Sequence, residues 1–350
     1  MSFKSTINQY RRTILTGLTR NIGKSGKIKN GIIRPQQEVR ILISRPNSRL
    51  GNQLLVTPLV QELTEAFPNA KIDLFVRGFL SPIIFENYPQ VDRIIRLPKK
   101  PFKELGKYLK VWLSLRKYRY DLVLNVTDHS SSGRLSTAFA RGKCKIYNDV
   151  AAELQTQHAD YLHIAKFPVY NFRKYAALFG IPEASKPIPS LNIKLSEQEL
   201  ENGKTVLNRL VDDRKNTIAI YTFATGSKCY SKAWWQEVYG KLKEKYQNDY
   251  NILEILPIEN VSQIDFQATS WYSKEIREIA SVMANTCIFI GADSGMMHLA
   301  SAAQTPTVGL FSTTSIERYG PYNRHSIAID TNTTSVDEMI AQIDTVLHNA

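Results

Sequence analysis

The sequence predicts an α/β protein built as two doubly wound domains in series. Three observations predict it: a length of 350 residues, apolar strands alternating with helical stretches from residue 39 onward, and a break in that alternation between Ile181 and Asn216. A single core stops growing at roughly 250–300 residues, so a longer chain divides. Strand–helix alternation is the mark of parallel sheets whose faces are covered by crossover helices.

In the first series Val39–Ser44 reads as a strand, Asn52–Phe67 as a helix, Ile72–Val76 and Arg93–Leu97 as strands, Phe102–Arg116 as an amphipathic helix and Asp121–Val126 as a strand. Pro182, Pro187 and Pro189, followed by a polar helical run, read as a connection, because proline withholds the amide donor that a ladder needs. The second series places strands at Thr217–Thr222, Ile252–Leu256, Cys287–Ile290 and Thr307–Phe311, with helices at Trp234–Tyr246, Ile276–Asn285 and Met296–Ala303. The expected division is a leader over 1–38, an N-terminal domain over 39–190, a connection over 191–216 and a C-terminal domain over 217–350. Ligands in such folds bind beyond the carboxyl ends of the strands, and two domains facing each other leave a cleft there.

Composition excludes several classes. Cys144, Cys229 and Cys287 are odd in number and lack metal-ligand spacing, against a disulfide framework and for a reducing, cytoplasmic compartment. No metal cluster is legible, and no bound metal or resident cofactor is expected. No apolar run approaches the roughly 18 residues of a membrane span. Residues 1–40 hold nine basic residues and one acid, Glu38, of a total net charge of +13. The body is therefore not the uniformly basic surface of a nucleic-acid binder. Ile7, Tyr10, Ile14, Leu15 and Leu18 fall on one helical face among Arg11, Arg12 and Arg20, which suits residues 1–35 to an anionic membrane surface; a disordered basic leader or a helix docked on the body is the alternative.

The densest chemistry lies in the second series. Gly291-Ala292-Asp293-Ser294-Gly295-Met296-Met297-His298 leads a buried strand through an acidic turn into a helix, with Ser294 as the cap. The amides of Ser294, Gly295 and Met296 open that helix and suit an anion, and Gly295 leaves room for close approach. Thr225-Gly226-Ser227-Lys228 and Lys232 follow the strand ending at Thr222, hydroxyls and lysines fit for a diphosphate. Trp234 and Trp235 read as helix packing. Glu259 follows the strand ending at Leu256, where a carboxylate meets a ribose hydroxyl.

In the first series, Arg45-Pro46-Asn47-Ser48-Arg49-Leu50-Gly51-Asn52 joins a strand to a helix: Arg45 and Arg49 suit an anionic substrate, Gly51 permits close approach, and Asn52 is a possible cap. Asp128-His129-Ser130 sits in a polar loop after the strand ending at Val126. Without a Gly-x-Ser-x-Gly elbow, that trio is no hydrolase signature.

Arg49–Leu59, Phe67-Pro68-Asn69-Ala70, Thr225 through Trp234, and Asp293–Ala300 with Thr305–Val308 resemble glycosyltransferase family 9, the bacterial heptosyltransferases, over most of residues 39–325. The resemblance implies two Rossmann-like domains in the GT-B arrangement. It implies inverting transfer of a sugar from a nucleotide-diphosphate donor, typically ADP-heptose, to lipopolysaccharide core, at the cytoplasmic face of the inner membrane. Thr225, Lys228, Lys232, Glu259, Asp293, Ser294, Gly295, Met296 and His298 become donor-site candidates, with Lys232 neutralising the leaving diphosphate. Arg45, Arg49, Gly51, Asn52 and His129 become acceptor-side candidates. The family commonly carries an aspartate, its usual general base, where this chain has Asn52, and a neutral amide is no base. Asp128 is the expected substitute, with His129 beside it; an orienting Asn52 and an impaired, donor-binding protein remain open, as does a different nucleotide sugar.

Overall fold

The computed structural model describes residues 22, 33–99, 103–127, 130–182 and 186–349. The helical face expected from Ile7 to Leu18 therefore lies outside the described residues, as does most of the leader, and so do Asp128 and His129. The first sheet is formed by β1 (Arg40–Arg45), β2 (Lys71–Arg77), β3 (Val91–Leu97), β4 (Arg119–Asn125) and β5 (Arg141–Ile146), all parallel in the order β3-β2-β1-β4-β5. The second holds β6 (Asn216–Tyr221), β7 (Tyr250–Ile255), β8 (Thr269–Trp271), β9 (Ile288–Ala292), β10 (Thr307–Phe311) and β11 (Ile327–Asp330), parallel in the order β11-β10-β9-β6-β7-β8. Both follow the doubly wound pattern in which the strand order reverses beside the first strand. The central strands β9 and β10 are buried throughout, which explains why they carry no charged residue, since parallel strands are covered on both faces.

The sequence reading expects one helix over Asn52–Phe67; the structure has two, α1 (Leu50–Leu54) and α2 (Thr57–Ala66). Pro58 is the reason. It has no N–H to give to the Leu54 carbonyl, and the Thr57 hydroxyl takes that acceptor instead at 2.7 Å. Between β2 and β3 runs the short α3 (Ser81–Ile84), and α4 (Leu105–Ser114) follows β3. Then α5 (Ser131–Phe139), α6 (Ala152–Gln157) and α7 (Phe167–Ala176) complete the first half.

The chain divides into two compact units that are not two consecutive blocks. One comprises the described residues up to Ser48, Pro58–Pro82 and Tyr88–Pro189; the other comprises Arg49–Thr57, Ile83–Asn87 and the chain from Ser190. The stretch 191–216, expected as a connection, packs within the second unit. Its helix α8 (Glu197–Leu210) opens with a capping box, Ser196 Oγ accepting from the Glu199 amide at 3.3 Å and the Ser196 amide donating to Glu199 Oε2 at 2.8 Å. Gly203 presses α8 onto α10 (Ile276–Ala284): a Cβ there would stand 2.3 Å from the Ser281 carbonyl oxygen.

The second unit's core is built from Ile218, Ile220, Ile288, Ile290, Val308 and Leu310 of the sheet. Against them pack Trp235, Val238, Tyr239 and Leu242 of α9 (Lys232–Tyr246) and Ile343 of α13 (Val336–Asn349). Trp235 is fully buried, as the packing reading expects. Between β9 and β10 lies α11 (Gly295–Ala302), and α12 (Ile316–Tyr319) follows β10. No helix among the described residues is long and apolar enough to cross a membrane.

Candidate functional site

In the second sheet the strand order reverses between β6 and β9, so the loops leaving these two strands diverge and leave a crevice at their carboxyl ends. The first loop is Thr222–Cys229 and the second is Asp293–Ser294. The Asp293 amide donates to the Leu310 carbonyl at 2.9 Å, which fixes its backbone as an extension of β9. Its side chain is buried. Oδ2 accepts from Lys228 Nζ at 2.5 Å and from the Thr314 hydroxyl at 2.6 Å. One carboxylate thus ties together residues that follow β6, β9 and β10. Oδ1 faces His298 Nε2 at 3.8 Å, too long for a hydrogen bond. Burial holds the His298 imidazole well below its ordinary value, with Asp293 opposing the fall and Lys228 adding to it. The ring is therefore uncharged at neutral pH.

Ser294 caps α11 in extended conformation, its hydroxyl accepting from the Met297 amide at 3.4 Å. Ser294, Gly295 and Met296 are half-buried, whereas Met297 and His298 face inward. The helix opens on a side reachable by a ligand, and its N-terminal amides carry partial positive charge.

The two glycines are packed against protein. A Cβ on Gly295 would sit 3.1 Å from Leu50 Cβ and 3.4 Å from the Gly51 amide, and one on Gly51 would sit 2.6 Å from His298 Cδ2. Their shared task is to bring α1 against α11; Asn52, the next residue of α1, is half-buried. Close approach is real at both positions, and the neighbour is protein.

The other sequence-predicted residues scatter. Lys232 opens α9 and is mostly exposed, its ammonium paired with Asp265 rather than with the Asp293 group. Thr225 is exposed at the turn in which Gly226 takes φ +67°, a conformation that favours glycine. Glu259 is exposed beyond β7. Burial raises the Tyr221 hydroxyl at the end of β6, and the charge of Glu259 raises it further, so the two lie close. In the first unit Arg45 is buried at the end of β1, and Arg49, assigned to the second unit, is exposed just before α1. Asn125 closes β4, donating to the Tyr147 carbonyl at 3.0 Å. Among the described residues no group of three or more His, Cys, Asp or Glu side chains is placed to hold a metal ion.

Thr314 is the partner that sequence reasoning did not single out. Its signal was weak: a hydroxyl three residues beyond an apolar strand. Thr222 and Glu254 likewise escaped notice. The Thr222 hydroxyl donates to the buried Glu254 carboxylate at 2.6 Å and accepts from the Gln263 amide at 3.1 Å, which pins the loop leaving β6.

Residues 273–342 match the family model described as glycosyltransferase family 9 (heptosyltransferase), a span that contains Asp293, α11 and Thr314. Lipopolysaccharide heptosyltransferase 3 of Escherichia coli (strain K12) is 23% identical over 303 residues, covering 79% of this chain and 84% of its own. Lipopolysaccharide core heptosyltransferase OpsX of Haemophilus influenzae is 22% identical over 298 residues, covering 79% and 80%. Among solved structures, a family 9 glycosyl transferase from Veillonella parvula aligns with a TM-score of 0.70 at 16% identity over 91% of this chain and 100% of that one. Escherichia coli heptosyltransferase WaaC with ADP aligns with a TM-score of 0.65 at 17% identity over 88% and 99%. Its two parallel sheets share the GT-B fold of these solved structures, and over residues 273–342 the chain is similar to glycosyltransferase family 9, the heptosyltransferases.

Proposed function

We propose that the chain transfers a heptose, with inversion, from ADP-heptose to the core of lipopolysaccharide or a related surface glycan. The observation that carries this reading is the Asp293 carboxylate at the strand-order reversal, held by Lys228 and Thr314 and followed at once by the capped N-terminus of α11. The relatives named lipopolysaccharide heptosyltransferases, and the solved neighbour that holds ADP, support the choice of donor and acceptor.

In this mechanism an acceptor hydroxyl oxygen bonds to the anomeric carbon while the bond from that carbon to the β-phosphate oxygen breaks. The nucleoside diphosphate leaves with the electron pair, and the hydroxyl proton passes to a base. The α11 amides stabilise the charge growing on the diphosphate. Lys232 is the mobile cation for it: an exposed ion pair such as that with Asp265 is worth only ~0–1 kcal/mol, so exchange to a diphosphate costs little. Lys228 is instead committed to Asp293. Thr225 and Glu259 line the nucleoside side, and Asp293 meets the sugar hydroxyls. Asn52 orients the acceptor, and Asp128, with His129 beside it, receives the proton; a carboxylate of ordinary pKa is ionised at neutral pH. Arg45 and Arg49 attract an anionic acceptor.

Mass-spectrometric transfer assays with ADP-heptose and a panel of other nucleotide sugars, on lipid A–core acceptors, test both donor and base. Heptose transfer from ADP-heptose is expected, with Asp128→Asn abolishing turnover while donor still raises the melting temperature. Full turnover in Asp128→Asn removes the base assignment. Donor binding without transfer or hydrolysis in the parent protein removes the catalytic reading.

A further inference from the structure

Helix α4 stands apart in the first unit. Its inner face, Tyr108, Val111 and Trp112, is half-buried against Phe75, Leu97 and Tyr120, with Leu115 closing the contact. None of its own residues is fully buried. Away from that face, Leu105, Leu109 and Leu113 recur at four-residue intervals and are 57%, 53% and 65% exposed. Residues four apart align along a helix, so these leucines form one apolar stripe. Exposed Lys103, Lys107, Lys110 and Lys117 lie along the side next to it. There α4 borders a groove lined by Phe79, Arg93, Arg96 and Lys107, so the positive surface continues past the helix.

The charge is local. Residues 93–119 contain ten Lys or Arg and a single acid, Glu104. With residues 1–40 they account for more than the whole net charge of +13, so the remainder of the chain is net acidic. A soluble helix has no reason to leave three leucines exposed in register beside such a concentration of lysines. A second copy of the chain is a poor occupant, since a two-fold contact would set lysines against lysines. The complementary partner is an anionic lipid surface. It receives leucines into the acyl boundary, and lysine stems lie along the apolar layer with their ammonium groups at headgroup phosphates.

We propose that α4 is a membrane-docking helix of this chain, seated on anionic bilayers through Leu105, Leu109 and Leu113 and the flanking lysines. This surface is distinct from the leader, and it stands independently of the donor and acceptor assigned above.

The test is flotation of the full chain with phosphatidylglycerol-containing and with pure phosphatidylcholine vesicles. The expected result is binding that prefers phosphatidylglycerol and weakens with salt. Leu105→Ser/Leu109→Ser/Leu113→Ser should lower the bound-to-free ratio at least about tenfold at an unchanged melting temperature, since the replaced side chains are exposed. Lys103→Glu/Lys107→Glu/Lys110→Glu, which keeps the leucines, should abolish the preference for phosphatidylglycerol. Parental binding in both variants would place the membrane contact elsewhere and overturn the proposal. So would a lipid-independent dimer in sedimentation equilibrium that the leucine variant dissociates.

Discussion

Replacing Gly51 by alanine probes the seam between α1 and α11. The new methyl carbon would lie 2.6 Å from His298 Cδ2 and 3.5 Å from the Gly295 Cα, whereas relaxed carbon–carbon contacts begin near 3.5 Å. The obstacle is a ring buried on all sides, so either α1 withdraws or His298 moves toward Asp293, 3.8 Å away. Overpacking of this kind costs about 1–3 kcal/mol. Alanine recovers up to about 1 kcal/mol over glycine in a helix. With full recovery the net loss is roughly 0–2 kcal/mol, a fall of up to about 8 °C in melting temperature for a domain of this size. Because the displaced ring abuts the Asp293 group, the stabilisation produced by added ADP should shrink as well. Thermal unfolding with and without ADP reads both effects. A variant as stable as the parent, with an undiminished response to ADP, would show that the glycine is not there to seat His298.

The two lysines should separate by readout. Lys228→Met leaves the buried Asp293 carboxylate with only Thr314 as donor, and the protein without ligand should lose about 1–3 kcal/mol in urea unfolding, the usual buried-pair cost reduced because Lys228 is one-third exposed. Lys232→Met should leave that stability unchanged and weaken ADP binding about tenfold by calorimetry; the reverse pattern would exchange their roles. Gly203→Ala drives a methyl into the Ser281 carbonyl and should destabilise the chain by about 3 kcal/mol, more than a glycine without such a contact, such as Gly240. Glu199 governs an acid transition. Its hydrogen bond from Arg277, above all, lowers the carboxyl from 4.5 to about 2, so its contribution is complete above pH 4.5 and disappears as pH falls toward 2. Glu199→Gln should therefore flatten the loss of stability between pH 5 and pH 3 in urea titrations.

The fold was legible where burial is complete. Thr307–Phe311 matches the predicted strand end to end because both faces are covered and every position is buried. The edges were not. β5 carries the sequence Arg-Gly-Lys-Cys-Lys-Ile with only Cys144 and Ile146 buried, and β8 is three residues long; neither presents a run that periodicity recognises. Of the site, Asp293 and its capping serine could be read because they adjoin in the chain. Lys228 was legible as a lysine beyond a strand end, but its pairing with Asp293, like that of Thr314, comes only through the order of β6, β9 and β10 in the sheet, a long-range fact with no local spacing. The basic character of residues 93–119 was hidden by counting the body as one average, in which its lysines are offset by acids elsewhere.

The assignment of Arg49–Thr57 and Ile83–Asn87 to the second unit has a consequence for biosynthesis. On the ribosome these segments emerge well before α11 and the Arg277 that binds the Ile83 carbonyl. The nascent chain must leave them without these partners until the rest of the second unit has been made. For the same reason a fragment beginning at Ser190 would carry the donor residues but expose the bare flank of α11. It is expected to aggregate rather than to serve as a miniature nucleotide-binding domain.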